Sequence, residues 1–254
     1  MNIKMIVTDL DGTLLRRDKT ISEYTASIFY RCRKAGIKII FATARPVRAV
    51  GKWLNIDIQS DVCIYHNGAV IRIGNELFQE TGIEHDVVNK LLEEAKQLNN
   101  MRIAAEVNDM LYANFDASTV WPGVEYIMTD FCNLPKLPAD KIIFITADKA
   151  EIKIIEQLFD DNLYWEISEN EVLMVMNKNA RKRNAIKDIA DYFGLTLDET
   201  AAFGDDYNDI EMLRDCSIGV AVANAIDEVK AAADYICDTN DNDGVAKWLE
   251  ENVL

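Results

Sequence analysis

The N-terminal part of the chain alternates short apolar runs with longer segments in which apolar residues recur at helical spacing. In the segment 22–35, Ile28, Phe29 and Cys32 mark one helix face, and Gly36 follows as a stop. The runs at 5–8, 37–43 and 62–65 predict buried strands, and the segments 22–35 and 45–54 predict helices. Strands that alternate with helices predict a parallel α/β sheet.

The pattern changes between residues 81 and 181. Short alternating segments surround two helical ones, and Pro122, Pro135 and Pro138 interrupt the middle of the region. The predicted elements here are helices at 86–98 and 151–159 and strands at 102–107, 110–115, 141–146, 163–167 and 172–176. This mixture predicts a small α+β unit inserted into the sheet domain.

The first pattern returns at residue 182. The predicted elements are a helix whose apolar face runs from Ala185 to Phe193, helices at 208–213 and 226–233, and strands at 200–203, 218–223 and 235–237. We therefore predict a doubly wound, Rossmann-like parallel-sheet core formed by residues 1–80 and 182–254, with residues 81–181 as a separate inserted domain.

Composition narrows the classes of function. The chain has 254 residues, 49% of them apolar and 28% charged, which is typical of a globular protein. Its formal net charge of -16 leaves no excess of basic residues to neutralise nucleic acid or an anionic membrane. Its 5 cysteines form no C-x-x-C pair, so neither a disulfide framework nor a structural zinc site is expected. Without a signal-like or membrane-spanning segment, we expect a cytoplasmic protein.

Polar side chains stand at the ends of three predicted core strands. They are Asp9, Asp11, Thr43, Asp205, Asn208 and Asp209. Open parallel sheets bind ligands beyond the carboxyl ends of their strands. Clustered carboxylates are costly to bury unless a cation joins them, and hard oxygen ligands favour Mg²⁺. The sequence therefore predicts a Mg²⁺ site, and such a site would also receive a phosphate group.

The spacing of the first two carboxylates fits phosphoryl transfer. Asp9 continues the line of its strand and is placed to attack phosphorus, which would form an aspartyl phosphate. Asp11 is placed to protonate the leaving oxygen and then to activate water. Gly12 would permit a sharp turn that brings backbone amides near the phosphate.

Four motifs in this order resemble those of the haloacid dehalogenase superfamily. They are D-L-D-G-T-L at residues 9–14, Thr43 after I-I-F-A, Lys182 at the head of a helix, and G-D-D-Y-N-D at residues 204–209. The segments N-G-A at 67–69, N-A at 224–225 with V-K-A-A-A-D from Val229, and D-G-V-A at 243–246 resemble the Cof-type, subfamily IIB phosphatases. That branch carries a large α+β cap of the C2B type between its second and third motifs, where the inserted unit falls.

The resemblance implies a role for each matching residue. Asp9 would be nucleophile and Mg²⁺ ligand, and Asp11 would be general acid/base and give its backbone carbonyl to the metal. Asp205 would be the third ligand, and Asp209 would support the metal through water. The residues implied to hold phosphoryl oxygens are Thr43, Lys182 and Asn208. The cap is expected to close over the substrate and supply specificity.

Some positions keep two interpretations. Ala44 and Arg183 stand where family members commonly have Gly, and the basic run at 181–183 leaves Lys178 as the alternative to Lys182. Arg45 is a possible substrate contact or an anchor for its helix, and Asn67 is a possible substrate contact or only a turn residue.

The resulting hypothesis is a Mg²⁺-dependent phosphatase that hydrolyses a small phosphorylated metabolite, with a sugar phosphate as the expected substrate. The presence of Asp11 favours phosphoryl transfer over carbon–halogen cleavage, since the dehalogenase members lack this second aspartate. The alternatives are a sugar phosphomutase and a non-catalytic sensor of Mg²⁺ or sugar phosphate. We expect a monomer or a small homo-oligomer.

Overall fold

The apolar runs of the sequence become the strands of two separate sheets. The computed structural model describes residues 2–53, 58–96, 98, 100–159, 161–168 and 171–254. The chain forms two compact units, one made of Met1–Gln79 with Arg181–Leu254 and the other of Glu80–Ala180.

The helices and strands follow the chain in this order. The first part contains β1 (Met5–Thr8), α1 (Glu23–Lys34), β2 (Lys38–Ala42), α2 (Val47–Trp53), β3 (Val62–Tyr65), β4 (Val70–Ile73) and β5 (Glu76–Glu80). The middle part contains α3 (His85–Ala95), β6 (Arg102–Val107), β7 (Met110–Ala113), β8 (Tyr126–Met128), β9 (Ala139–Ile145), α4 (Lys149–Glu156), β10 (Leu163–Ser168) and β11 (Val172–Asn177). The last part contains α5 (Lys182–Phe193), β12 (Thr200–Gly204), α6 (Ile210–Asp215), β13 (Ile218–Val222), α7 (Asp227–Ala232), β14 (Tyr235–Cys237) and α8 (Gly244–Asn252).

The core sheet has β1 among its central strands. Its order is β14, β13, β12, β1, β2, β3, β4, β5. Neighbours from β14 to β3 run parallel, and β4 runs antiparallel to β3. All four residues of β1 are buried, and the packed core combines strand residues with apolar side chains of α1, α5 and α8. The predicted parallel-sheet α/β core is confirmed.

Local signals in the sequence set the limits of α1. The Ser22 hydroxyl accepts a hydrogen bond from the Thr25 N–H at 3.0 Å, which caps the first turn. Thr25, Ile28, Phe29 and Cys32 are its buried residues. Gly36, with φ of 83°, lets the chain leave the helix and enter β2.

The second unit contains a largely antiparallel sheet in the order β10, β11, β9, β6, β7, β8. Successive side chains of a strand point to opposite faces, and β11 shows this clearly. Leu173 and Val175 pack in one core with residues of α3 and α4, whereas Val172, Met174 and Met176 pack in a second core on the other face. Both faces of this sheet therefore hold apolar residues.

Several elements differ from the sequence prediction. The strands β4, β5 and β8 and the helix α8 were not predicted, and β5 carries the exposed residues Leu77 and Phe78 instead of a buried face. The helix predicted at 45–54 begins only at Val47, since Pro46 precedes it, and Leu54 lies outside the described residues. The helix predicted at 208–213 begins at Ile210, after a short 3-10 turn. None of the helices in the described ranges is long and apolar enough to cross a membrane.

The second unit buries an acidic residue on β9. Asp140 is 2% exposed. Burial raises the pKa of Asp140 to about 7, the charges of Glu106 and Glu80 raise it too, and Lys141 lowers it. Because the pKa is higher in the folded than in the unfolded chain, this group contributes stability below about pH 4 that is lost as pH rises through about 7.

The substitution Asp140→Asn is therefore expected to stabilise the protein only at high pH. Asparagine mimics the protonated carboxyl, so the gain over wild type should grow between about pH 4 and pH 7, to at most about 4 kcal/mol. Urea unfolding of both proteins from pH 4.5 to 8 measures it. Asp86→Asn, the same change at an exposed position of this unit, is the control. A gain independent of pH would contradict the assigned cause.

Candidate active site

The carboxyl ends of β1 and β12 lie side by side. These strands are parallel neighbours in which Thr8 lies opposite Phe203, and the Asp9 N–H donates to the Phe203 carbonyl oxygen at 3.0 Å. Asp9 is buried and Asp205, one residue beyond β12, is half-buried. The fold thus brings together two of the carboxylates that the sequence predicts for the site.

Three carboxylates meet at this edge of the sheet. Asp9, Asp205 and Asp209 each place an oxygen within 4.8 Å of the others. Burial raises the pKa of Asp9 well above its usual value; Lys182 opposes this, while Asp209 and Asp205 add to it. Burial also raises the pKa of Asp205 to about 7, although Thr13 donates a hydrogen bond to it. A divalent cation would relieve this crowding, and the oxygen-only donor set fits Mg²⁺.

Lys182 joins two of these carboxylates. Its Nζ lies 2.6 Å from Asp9 Oδ1 and 2.7 Å from Asp209 Oδ1, and its side chain is 0% exposed. Burial lowers the pKa of Lys182, but the charges of Asp209 and Asp9 outweigh burial and raise it, so the side chain is an ammonium. Lys178 instead donates to the Asp161 carbonyl oxygen at 2.9 Å in the second unit. The geometry of the first unit therefore favours Lys182 over Lys178.

Asp209 also shapes the loop that carries Asp205. Its Oδ2 accepts hydrogen bonds from the N–H groups of Asp205 at 2.9 Å and Asp206 at 3.2 Å. Gly204 leaves room for this arrangement, since a Cβ there would lie 2.7 Å from Asp209 Oδ2. Both carboxylate oxygens of Asp209 are thus engaged by the protein, which fits the supporting role predicted for this residue.

Gly12 lies against the carboxylate of Asp205. Its φ of 80° is in the left-handed region, and a Cβ would overlap the Asp205 carboxylate. The neighbouring Thr13 hydroxyl donates to Asp205 Oδ1 at 2.5 Å, and Asn224 Nδ2 donates to the Gly12 carbonyl oxygen at 2.7 Å. The turn after β1 is therefore held to the loop after β12 by close packing and the Thr13 hydrogen bond, and to the loop after β13 by Asn224.

Two cations hold the carboxylate of Asp11. Arg45 Nη2 donates to Asp11 Oδ1 at 2.6 Å, Arg45 Nε donates to Oδ2, and Lys19 Nζ donates to Oδ1 at 2.7 Å. Burial raises the pKa of Asp11, but the hydrogen bonds from Arg45 and Lys19 outweigh burial and lower it. Asp11 is therefore a carboxylate in this state, and it must gain a proton before it can act as a general acid. In this structure the guanidinium of Arg45 is therefore hydrogen-bonded to Asp11.

The remaining predicted site residues lie on three adjoining segments. Thr43 is buried, and its Oγ1 accepts a hydrogen bond from the Arg45 N–H at 3.1 Å. Asn208 is half-buried, and its Nδ2 donates to Asn67 Oδ1 at 2.9 Å. Asn67 itself is 2% exposed, so its side chain meets another predicted site residue.

The family is decided by a match along nearly the whole chain. The model of the haloacid dehalogenase-like hydrolases matches residues 6–249. The chain belongs to this family. The resemblance drawn from the four motifs is confirmed, and the chain is an enzyme, a phosphoric monoester hydrolase of this superfamily.

Named relatives of this haloacid dehalogenase-like hydrolase match it over nearly its whole length. A putative phosphatase of Haemophilus influenzae is 30% identical over 265 residues, covering 99% of this chain and 98% of the relative. The 5-amino-6-(5-phospho-D-ribitylamino)uracil phosphatase YitU of Bacillus subtilis is 28% identical, covering 97% and 96%. The solved structure of BT1666 from Bacteroides thetaiotaomicron, described among phosphatases of this superfamily, has a TM-score of 0.88 at 26% identity, covering 98% and 94%. The fold is therefore that of the family.

Three residues that contact the candidate site of this hydrolase had no role assigned to them from the sequence. Each donates a hydrogen bond: Thr13 to Asp205, Lys19 to Asp11, and Asn224 to the carbonyl oxygen of Gly12. Thr13 directly follows Gly12 in the motif at residues 9–14, so its position in the sequence could have indicated a role at the site. Lys19 lies in a polar turn, and only the folded chain brings it to the site. Asn224 belongs to the N-A motif at 224–225, but its contact with Gly12 joins residues 212 positions apart.

Proposed function

We propose that this enzyme is a Mg²⁺-dependent phosphatase that hydrolyses a small phosphorylated metabolite through an aspartyl phosphate on Asp9. The observation that carries the proposal is the cluster of Asp9, Asp205 and Asp209 at one sheet edge, with the Lys182 ammonium paired to Asp9 and Asp209. Such a cluster combines a nucleophile with groups that attract a cation and a phosphate.

The first half of the proposed reaction transfers the phosphoryl group to the enzyme. Lys182 holds Asp9 Oδ1, which leaves Oδ2 to attack phosphorus. The Asp9 Oδ2–phosphorus bond forms as the ester oxygen–phosphorus bond breaks. A protonated Asp11 gives its proton to the departing alcohol oxygen and becomes a carboxylate.

The second half restores the enzyme. The Asp11 carboxylate takes a proton from water, and the water oxygen attacks phosphorus. The Asp9–phosphorus bond breaks, inorganic phosphate leaves, and Asp11 again holds the proton that it donated. Arg45 and Lys19 favour the carboxylate form of Asp11, and this form is the one that the second half requires.

We assign the remaining site residues to binding. Asp9 and Asp205, with the Asp11 backbone carbonyl, would hold Mg²⁺, and Asp209 would support it. When bound, Mg²⁺ would neutralise carboxylate and phosphoryl charge. Phosphoryl oxygens would be bound by Thr43, Lys182 and Asn208.

The proposal extends to the class of substrate and to the unit that selects it. The relative YitU is named for a phosphorylated ribityl compound, which supports a phosphorylated sugar or sugar alcohol as substrate. We assign substrate selection to the second unit, Glu80–Ala180, as the family cap.

The test is inorganic phosphate release from a panel of sugar phosphates, nucleotides and cofactor phosphates, with Mg²⁺ or with EDTA. We expect Mg²⁺-dependent release from one or more sugar phosphates. Isomerised sugar phosphate without net phosphate release would instead identify a phosphomutase. Binding of sugar phosphate without any turnover would identify a sensor.

Asp205→Ala is the metal-specific variant for the same assay. It removes one proposed ligand and leaves Asp9, Asp11 and Lys182 in place, so a higher Mg²⁺ concentration should be needed for half-maximal activity. An unchanged Mg²⁺ requirement would show that the proposed ligand set is wrong.

A further inference from the structure

The turn between β3 and β4 is buried and has an unusual backbone. His66 is 1% exposed and Asn67 is 2% exposed. The φ angles of His66, Asn67 and Gly68 are 49°, 57° and 113°. Left-handed backbone at non-glycine residues persists only where the surrounding structure imposes it, and such positions are frequent at functional sites.

This turn contacts all three segments that carry the proposed phosphate-binding residues. The Asn67 N–H donates to the Thr43 carbonyl oxygen at 3.0 Å, and Asn67 Oδ1 accepts from Asn208 Nδ2 at 2.9 Å. Gly68 packs on the backbone of Arg181, the residue before Lys182. A Cβ at Gly68 would lie 2.6 Å from the Arg181 carbonyl oxygen.

The contact between the two asparagines constrains the Asn208 amide. A carboxamide offers an oxygen acceptor on one side and two N–H donors on the other. One Nδ2–H of Asn208 is used by Asn67, so the direction of its second N–H is fixed. Without this acceptor the amide could rotate and present its oxygen to a phosphoryl oxygen, which would repel it.

We infer that Asn67 is a positioning residue that orients the Asn208 amide so that its free N–H binds a phosphoryl oxygen. The inference rests on the proposed phosphatase function and deepens it, because Asn67 acts through Asn208 and not on the substrate. This role differs from the substrate contact considered from the sequence, because the side-chain oxygen of Asn67 is engaged by Asn208.

Asn67→Gly tests this inference with little change to the backbone, since glycine accepts positive φ. We expect KM, and the inhibition constant of inorganic phosphate, to rise about tenfold, the effect of one lost hydrogen bond, with kcat within about threefold of wild type. Asn100→Gly makes the same substitution at an exposed asparagine with φ of 59° and should leave all three constants unchanged.

A double-mutant cycle separates positioning from a general structural role. In an Asn208→Ala background, Asn67→Gly should have no further effect on KM. Equal effects in the two backgrounds, or an effect confined to thermal stability, would overturn the inference. A wild-type protein without Mg²⁺-dependent phosphate release would contradict the proposed function itself, so the two failures are distinguishable.

A measurement on the unsubstituted protein does not depend on how Asn67→Gly folds. In NMR spectra with Mg²⁺, the two side-chain amide protons of Asn208 can be assigned by their loss in Asn208→Ala. Adding inorganic phosphate should shift one proton strongly and leave the one bonded to Asn67 nearly unchanged. Equal shifts of both protons, or no shift of either, would contradict the proposed orientation.

Discussion

Asp9→Asn is expected to abolish turnover while the protein stays folded. Asparagine has nearly the same shape as aspartate but is not a nucleophile towards phosphorus, so kcat should fall at least about 10⁴-fold, within the scale of losses seen when a nucleophile is removed from other enzymes. The fold should tolerate the change because burial and neighbouring carboxylates already raise the pKa of Asp9. Removing this charge weakens the contact with Lys182 but also relieves repulsion from Asp205 and Asp209.

The matched control for this prediction is Asp227→Asn. Asp227 has a fully exposed side chain at the start of α7, and its substitution should leave phosphate release unchanged. Both variants are measured with saturating Mg²⁺ on the best substrate of the panel, together with thermal unfolding. Appreciable hydrolysis by Asp9→Asn would refute the nucleophile assignment, and the thermal unfolding shows whether lost activity reflects lost structure.

The part of the site that sequence reasoning could anticipate is the part that short-range rules govern. Apolar runs at β1 and β12 predict buried strands, and polar residues directly after them emerge at the carboxyl edge of a parallel sheet. The sequence therefore places Asp9 and Asp205 at the same edge of the sheet, and the pairing of β1 with β12 in the structure brings them side by side. Lys182 could be placed only by its motif order, since a basic triplet at a helix start is more often a solvated surface.

The parts that could not be anticipated depend on contacts between distant segments. The hydrogen bond between Asn208 and Asn67 joins residues 141 positions apart in the sequence, and the one between Arg45 and Asp11 joins residues 34 positions apart. No periodicity in the sequence encodes such pairs. The strand β5 was missed for a different reason, because its residues lie mostly exposed at a sheet edge and lack the alternating buried positions of a strand signal.

The buried charges of the site explain why Lys182 should matter for folding as well as for the proposed function. Asp9 and Asp209 are buried with exposures of 6% and 0%, and isolated carboxylates at such positions would be strongly disfavoured. Removing one partner from a buried ion pair leaves the other charge without compensation. Lys182 balances two such carboxylates at once, so the ammonium that we propose as a phosphate ligand also allows these carboxylates to be buried together.

Lys182→Met is accordingly expected to destabilise the protein and to abolish phosphate binding. Methionine fills a similar volume without charge, and breaking the buried pairs should cost about 3 to 5 kcal/mol, or a fall of about 10 °C in Tm for the first unit. Urea and thermal unfolding in EDTA measure the loss without compensation from bound metal. Inhibition by inorganic phosphate in the presence of Mg²⁺ measures the loss of binding.

Two further variants of this protein test whether the loss of stability comes from the buried charge. Lys247→Met removes an exposed pair in which Nζ lies 2.8 Å from Asp238 Oδ2 with side chains 47% and 40% exposed, and it should cost under about 1 kcal/mol. The double variant Lys182→Met with Asp209→Asn removes one of the two uncompensated carboxylates, so it should be more stable than Lys182→Met alone while remaining inactive. If Lys182→Met instead unfolds like wild type, the ammonium does not balance these carboxylates. A double variant no more stable than the single one would mean that the loss comes from packing and not from charge.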